Sequence, residues 1–282
     1  MSVRIIADSS SDAELIEDDR LTVLPLTVTI EGTSYLDRVN LSSEEFYEAI
    51  SKIDSVPQTS QVNPYDYEQE FNKAHSRGEQ VVCICLSSTV SGTYNSACIA
   101  AQSTNAEVYV VDSRQIAMGT NIQVRYALQL ADEGLSAKEI AEKLEETKGS
   151  IKLLAVIDTL EFLRRSGRAP KIVAYLGDHF NIKPLFTLDD GQPKLLSKSP
   201  GWKSAYRNFT KQIFTLSNID YDKPVCFAYS GLTDENLRTF LDETHESWSE
   251  HLSEKELNIT LAGSTIGTHV GPGAIGVAFY TK

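Results

Sequence analysis

Short apolar runs alternate with helical stripes through the first half of the chain. Residues 3–7 form an apolar run ending on Asp8, and residues 22–30 are rich in β-branched side chains. Both fit strands. Ser42-x-x-Glu45 is a capping box, followed by Phe46, Ala49, Ile50 and Ile53 at helical spacing. Tyr67, Phe71 and Ala74 make a second stripe. Residues 81–86 read as a buried strand, 91–102 as a helix of small residues, and 107–111 as another strand, ending at Asp112. Two more helices are expected over 119–132 and 136–148, the second opened by a Ser136-x-x-Glu139 box. Short apolar strands alternating with helices imply a parallel sheet covered on both faces. Ligands of such sheets gather beyond the carboxyl ends of the strands. Asp8 to Asp12, Ser87 to Gly92 and Asp112-Ser113 all fall there.

The pattern changes near residue 150. Residues 151–157 read as a strand, 159–165 as a short helix and 170–180 as a helix. The runs 184–188 and 194–198 flank Asp190-Gly191 and read as a hairpin. A helix over 201–216, a strand over 225–229, a helix over 233–249 and closing strands over 258–261 and 274–281 complete the pattern. The expected fold is an N-terminal parallel-sheet α/β domain, residues 1–150, and a C-terminal α+β domain with mixed pairing, residues 151–282. No low-complexity linker separates them, so a shared interface is expected.

Composition narrows the functions. The 282 residues are 41% hydrophobic and 23% charged, as in ordered globular chains. The net charge of -13 disfavours nucleic acid, which needs a positive field, and anionic membrane surfaces, which attract basic clusters. No apolar run reaches the ~18 residues of a membrane span. Residues 1–8 lack a basic stretch followed by an apolar run, so no signal peptide is read there and a cytoplasmic protein is expected. Cys83, Cys85, Cys98 and Cys226 are expected to be reduced core thiols, with Cys83 and Cys85 on one face of their strand. His75 precedes Cys83 without metal-ligand spacing, so no metal is expected.

The motifs divide into punctuation and candidate chemistry. Gly271-Pro272-Gly273-Ala274-Ile275-Gly276 matches G-x-G-x-x-G, but the residues after it look like a strand, where a dinucleotide site needs a helix. A tight turn with close backbone approach is the better reading, and no cofactor is expected. Asp8-Ser9-Ser10-Ser11-Asp12 offers oxygen ligands, yet Asx and Ser turn chemistry explains it more simply. Ser87 to Thr93 opens a helix, so it is either an anion site or an ordinary cap. No G-x-S-x-G elbow surrounds it. His269, in Gly267-Thr268-His269-Val270-Gly271, is expected on a mobile backbone with little packing, where an imidazole can meet a carboxylate. His75, His179, His245 and His251 read as surface residues. Arg164, Arg165 and Arg168 form a basic knot in an acidic chain, either for an anionic partner or as a favourable helix end.

Together these segments resemble the DegV family. The matching pieces, in order, are Asp8 to Asp12; Thr59-Ser60-Gln61; Leu86-Ser87-Ser88 with Ser91 to Ala97; Val111-Asp112-Ser113 with Met118-Gly119; Leu160 to Arg168; Asn181-Ile182-Lys183-Pro184; and Gly267 to Gly273. The resemblance implies two α/β domains with a long-chain fatty acid in a closed tunnel between them. It implies a non-enzymatic binding subunit that presents the carboxylate to a separate ATP-dependent fatty-acid kinase, feeding phospholipid synthesis. By motif, Thr59, Ser60, Ser91 and His269 would hold the carboxylate, and Arg165 and Arg168 would lie near the kinase or the head group. The chain departs from the family pattern at Ser166, Val270, Ala169-Pro170 and Val62-Asn63-Pro64. Two other readings remain: a stand-alone hydrolase or phosphatase using Ser91 or Asp8 with His269, and a regulatory binder of another lipid.

Overall fold

The computed structural model describes residues 2–168 and 181–282. The expected helix over 170–180, with His179, lies outside the described residues.

Four parallel strands build the first sheet. β1 (Val3–Asp8) pairs with β2 (Leu21–Leu24) on one side and β6 (Gln80–Cys85) on the other, and β6 pairs with β7 (Val108–Asp112). Alternation along each strand feeds two cores. Ile5, Val82 and Ile84 pack with Val124, Ala127, Ile140 and Leu144 of helices α4 (Met118–Asp132) and α5 (Ala137–Thr147). Ile6, Val81, Cys83 and Cys85 face Tyr67, Phe71, Ala97 and Ala100 of α2 (Pro64–Ser76) and α3 (Thr93–Gln102). Cys83 and Cys85 thus share a face, their sulfurs 3.7 Å apart. Cys98 is only partly buried.

The β-rich run 22–30 is two strands, because Pro25 has no N–H and interrupts the ladder. β2 stays in the parallel sheet, while β3 (Thr27–Ile30) starts a three-stranded antiparallel sheet with β4 (Thr33–Leu36) and β5 (Gln58–Ser60). Its core, including Val28 and Ile30, packs on Phe46, Tyr47 and Ile50 of α1 (Ser43–Ile50). α1 opens with the expected box: Glu45 N–H donates to Ser42 Oγ at 3.1 Å, and Ser42 N–H to Glu45 Oε2 at 2.8 Å.

The second half forms a six-stranded sheet in the order β10-β9-β8-β13-β11-β12. These are β8 (Ile151–Val156), β9 (Ile182–Asp189), β10 (Gln192–Pro200), β11 (Cys226–Tyr229), β12 (Thr260–Leu261) and β13 (Ile275–Tyr280). Only β11 and β12 run parallel, which is the mixed pairing expected. Asp190 and Gly191 turn the β9–β10 hairpin with φ of 46° and 79°, as a type I′ turn requires. One face carries Leu154, Val156, Phe227, Val277 and Phe279 against Phe209 and Phe240 of helices Trp202–Thr210 and Glu235–Glu243. The single helix expected over 233–249 breaks at Thr244, whose hydroxyl bonds back to Phe240 O at 2.7 Å.

The other face meets α4. Leu153, Cys226, Ala228, Ala278 and Tyr280 pack with Met118 and Ile122. A Cβ at Gly276 would stand 2.0 Å from Met118 Cε, so that glycine lets the helix lie on the sheet. α4 therefore shares its surface between both sheets. The chain is a parallel-sheet α/β domain joined to an α+β domain through α4, which packs on both sheets.

Candidate functional site

A cavity of about 460 Å³ is lined from both sheets. Leu86 and Ile116 reach it from beyond the carboxyl ends of β6 and β7, where the sequence placed ligands. β8 contributes Leu153 and Ala155 by its period-2 alternation, Ile157 follows just past its end, and β9 adds Phe186 and Leu188. Leu154 and Val156, one residue out of phase, serve the opposite core.

Among the polar lining residues are Thr59, Ser60, Gln61, Ser91, Arg168 and His269. Thr59 and Ser60 arrive on β5, where Thr59 is paired with Val28. His269 arrives on the helix Ser264–Val270. Residues 210 apart in sequence meet there: Thr59 Oγ1 lies 3.0 Å from His269 Nε2. The expected mobile setting of His269 is corrected by the structure. Its neighbouring glycine serves close packing, because a Cβ at Gly267 would stand 2.6 Å from Phe46 Cε1. The ring is largely enclosed, and Nδ1 is buried with no hydrogen-bond partner among the described residues. Burial, reinforced by the nearby Arg168 cation, lowers its pKa to about 4. The imidazole is neutral at pH 7.

Ser91 sits just before α3. Its Oγ lies 3.0 Å from Thr93 Oγ1 and accepts the Thr93 N–H at 3.2 Å. Gly92, the next residue, leaves room for Gln61: a Cβ there would stand 2.0 Å from Gln61 Oε1. Gln61 Nε2 in turn donates to Ser96 Oγ at 2.8 Å, closing the β5 strand over the start of α3.

Arg165 is placed elsewhere. Its Nη1 donates to Asp54 O at 2.6 Å and its Nη2 pairs with Glu161 at 2.5 Å, outside the cavity wall. Arg168 does line the cavity and donates to Ser166 O at 2.6 Å. Asp8 is fully buried away from the cavity, bonded to Ser10 and accepting the Leu86 N–H at 2.8 Å. Burial raises its pKa to about 6. Local turn bonds account for Asp8, Ser10 and Ser11, whereas Ser9 and Asp12 reach across the fold to Asp37, Arg38 and Gly263. His269 Nε2 bonds Thr59, while Ser91 Oγ bonds Thr93, so among the described residues Ser91 and His269 are not bonded to each other.

Gly271 and Gly273 have φ of 70° and 82° and lead into β13. The G-x-G-x-x-G match is thus a turn before a strand. Among the described residues no cluster of three or more His, Cys, Asp or Glu could hold a metal, and no helix is long and apolar enough to cross a membrane.

Sequence reasoning gave Gln61 no role of its own and missed Thr265 and the whole apolar wall. The wall had one usable signal, the alternation of Leu153, Ala155 and Ile157.

Known proteins share this architecture. A DegV domain-containing protein of Staphylococcus aureus (strain COL) is 34% identical over 282 residues, covering 99% of this chain and 98% of the relative. Among solved structures, a DegV family protein of Thermus thermophilus described for its fatty acid binding superposes with a TM-score of 0.87 at 28% identity, covering 100% of both chains. A Thermotoga maritima protein, described as revealing a fatty acid binding function, gives 0.83 at 25% identity, again over 100% of both. The family model described as "Uncharacterised protein, DegV family" matches residues 2–282. This chain belongs to the DegV family.

Proposed function

We propose that this protein binds one long-chain fatty acid in the cavity, with the carboxylate held by Thr59, Ser60, Ser91 and His269. The observation that carries the reading is an apolar cavity whose wall also holds the hydroxyls of Thr59, Ser60 and Ser91 and the His269 imidazole. Its volume of about 460 Å³ falls in the ~300–1,000 Å³ range of small-ligand sites. Each methylene taken from water contributes ~0.8 kcal/mol. The carboxylate must then be hydrogen-bonded, since an unpaired buried charge is very unfavourable. Hydroxyl donors and the imidazole supply those bonds without a fixed ion pair, so release stays accessible. The fatty acid binding described for the Thermus thermophilus and Thermotoga maritima relatives supports the same ligand.

We further propose that the bound carboxylate is presented to a separate ATP-dependent kinase, which forms the acyl-phosphate for phospholipid synthesis. The chain has no G-x-x-x-x-G-K-[ST] loop to cradle ATP phosphates itself. Arg168 in the cavity wall and Arg165 on the adjoining surface supply positive charge for a phosphorylated head group or an acidic partner surface.

Titration of delipidated protein with a long-chain fatty acid and with the alcohol of equal length tests the binding site. Tighter binding of the acid, reduced by His269→Ala, is the expected outcome. Equal affinity for both would remove the carboxylate site.

A further inference from the structure

The helix that carries His269 is gripped at its start by side chains from the N-terminal half, one residue after another. Leu261 O accepts Arg38 Nη2 at 2.5 Å, and Ala262 O accepts Tyr47 Oη at 2.9 Å. Gly263 N–H donates to Asp12 Oδ1 at 2.8 Å. Ser264 donates its N–H (3.2 Å) and hydroxyl (2.5 Å) to Asp37 Oδ1. Thr265 donates its N–H (3.3 Å) and hydroxyl (2.5 Å) to Asp37 Oδ2. The same Oδ2 also takes the Ser9 hydroxyl at 2.9 Å. Asp37 is 1% exposed, so these five donors are what compensates its charge.

We propose that Asp37 is the positioning residue of the head-group site: it fixes the start of the helix Ser264–Val270 so that His269 stands against Thr59. The proposal rests on the fatty-acid reading above. Asp37 itself does not line the cavity. It acts through Thr265, which it bonds twice and which does line it. Thr265 and His269 are four residues apart and share one helix face. The other end of the clamp is equally fixed. Asp37 N–H donates to the carbonyl of Leu26, a cavity residue, at 3.0 Å. Arg38, next in the chain, holds a left-handed φ of 59° and bonds Asp12 Oδ1 at 3.0 Å. A carboxylate is the group that suits five converging donors. An amide would turn its NH₂ toward some of them, lose those bonds and release the helix start. Head-group geometry is sensitive to such a shift, since bond quality falls steeply with distance and angle.

The test compares affinities for a long-chain fatty acid and the alcohol of equal length in wild type, Asp37→Asn, Ser264→Ala, His269→Ala and the D37N/H269A double variant. Ser264→Ala removes one hydroxyl donor and keeps the buried carboxylate, so it reports even where D37N folds poorly. The acid-over-alcohol preference should fall about tenfold in D37N and in the same direction in S264A. Adding D37N to His269→Ala should cause no further loss of preference, because the clamp acts through the imidazole. A preference unchanged in both D37N and S264A, or a full additional loss in the double variant, would overturn the positioning role alone. Wild-type protein that binds neither ligand would remove the fatty-acid reading and this role with it.

Discussion

At the residue scale the site turns on one imidazole. His269 is held neutral by burial and by Arg168, with one nitrogen on Thr59 and the other vacant. Its folded pKa of about 4 lies below an ordinary value of ~6.5. Between those values the unfolded chain binds the extra proton, so this group's share of stability is present above pH ~6.5 and is lost as pH falls through about 4. Asp8 and Asp12 oppose it. Their pKa values are raised to about 6 and about 7, mainly by burial, so their contribution declines as pH rises through those values. The His269 share is therefore read as a difference. Unliganded wild type should lose stability relative to His269→Gln as pH falls from ~6.5 toward ~4, measured by urea unfolding. A difference that stays flat over that window would contradict the buried neutral imidazole.

At the element scale the site depends on how closely the His269 helix lies on α1. Gly267→Ala puts a methyl against the Phe46 and Tyr47 rings. Overpacking of this kind costs ~1–3 kcal/mol, so thermal unfolding should shift down and fatty-acid affinity should fall with it. Ala155→Trp tests the other wall. It fills cavity space from β8 without touching the clamp, and should abolish fatty-acid binding while the far-ultraviolet circular dichroism stays that of the wild type. These elements were unevenly legible in the sequence. Strands β1, β6 and β7 and helices α1 and α5 were readable because alternation and capping boxes are local signals. The three-stranded sheet was not. Its strands are three or four residues long, and the contact of Thr59 with His269 joins residues 210 apart. The setting of His269 was misread for the same reason: the glycines around it answer to Phe46 and Phe162, which only the fold brings near.

At the scale of the whole molecule, the cavity exists because two sheets meet through α4 and leave room beyond the parallel strands. The parallel sheet and the place of its ligand end were legible, since strand-end polar clusters at Ser87 and Asp112 pointed there. The apolar wall was not, because face assignment in the six-stranded sheet needs the tertiary register. A carrier of this design should separate binding from phosphorylation. Arg165→Ala, outside the cavity wall, should leave fatty-acid affinity within about twofold, inside the scatter of surface changes, while acyl-phosphate formation by the proposed partner kinase drops. Wild-type rates in R165A would make Arg165 structural.

Occupancy of the cavity by one fatty acid underlies the outcomes at all three scales. Native and denaturing mass spectrometry of protein purified from bacteria tests it most directly. The expected native mass exceeds that of the chain by one long-chain fatty acid, released on denaturation and identified in the extract. Protein of bare chain mass that also takes up none of a panel of added fatty acids would contradict it.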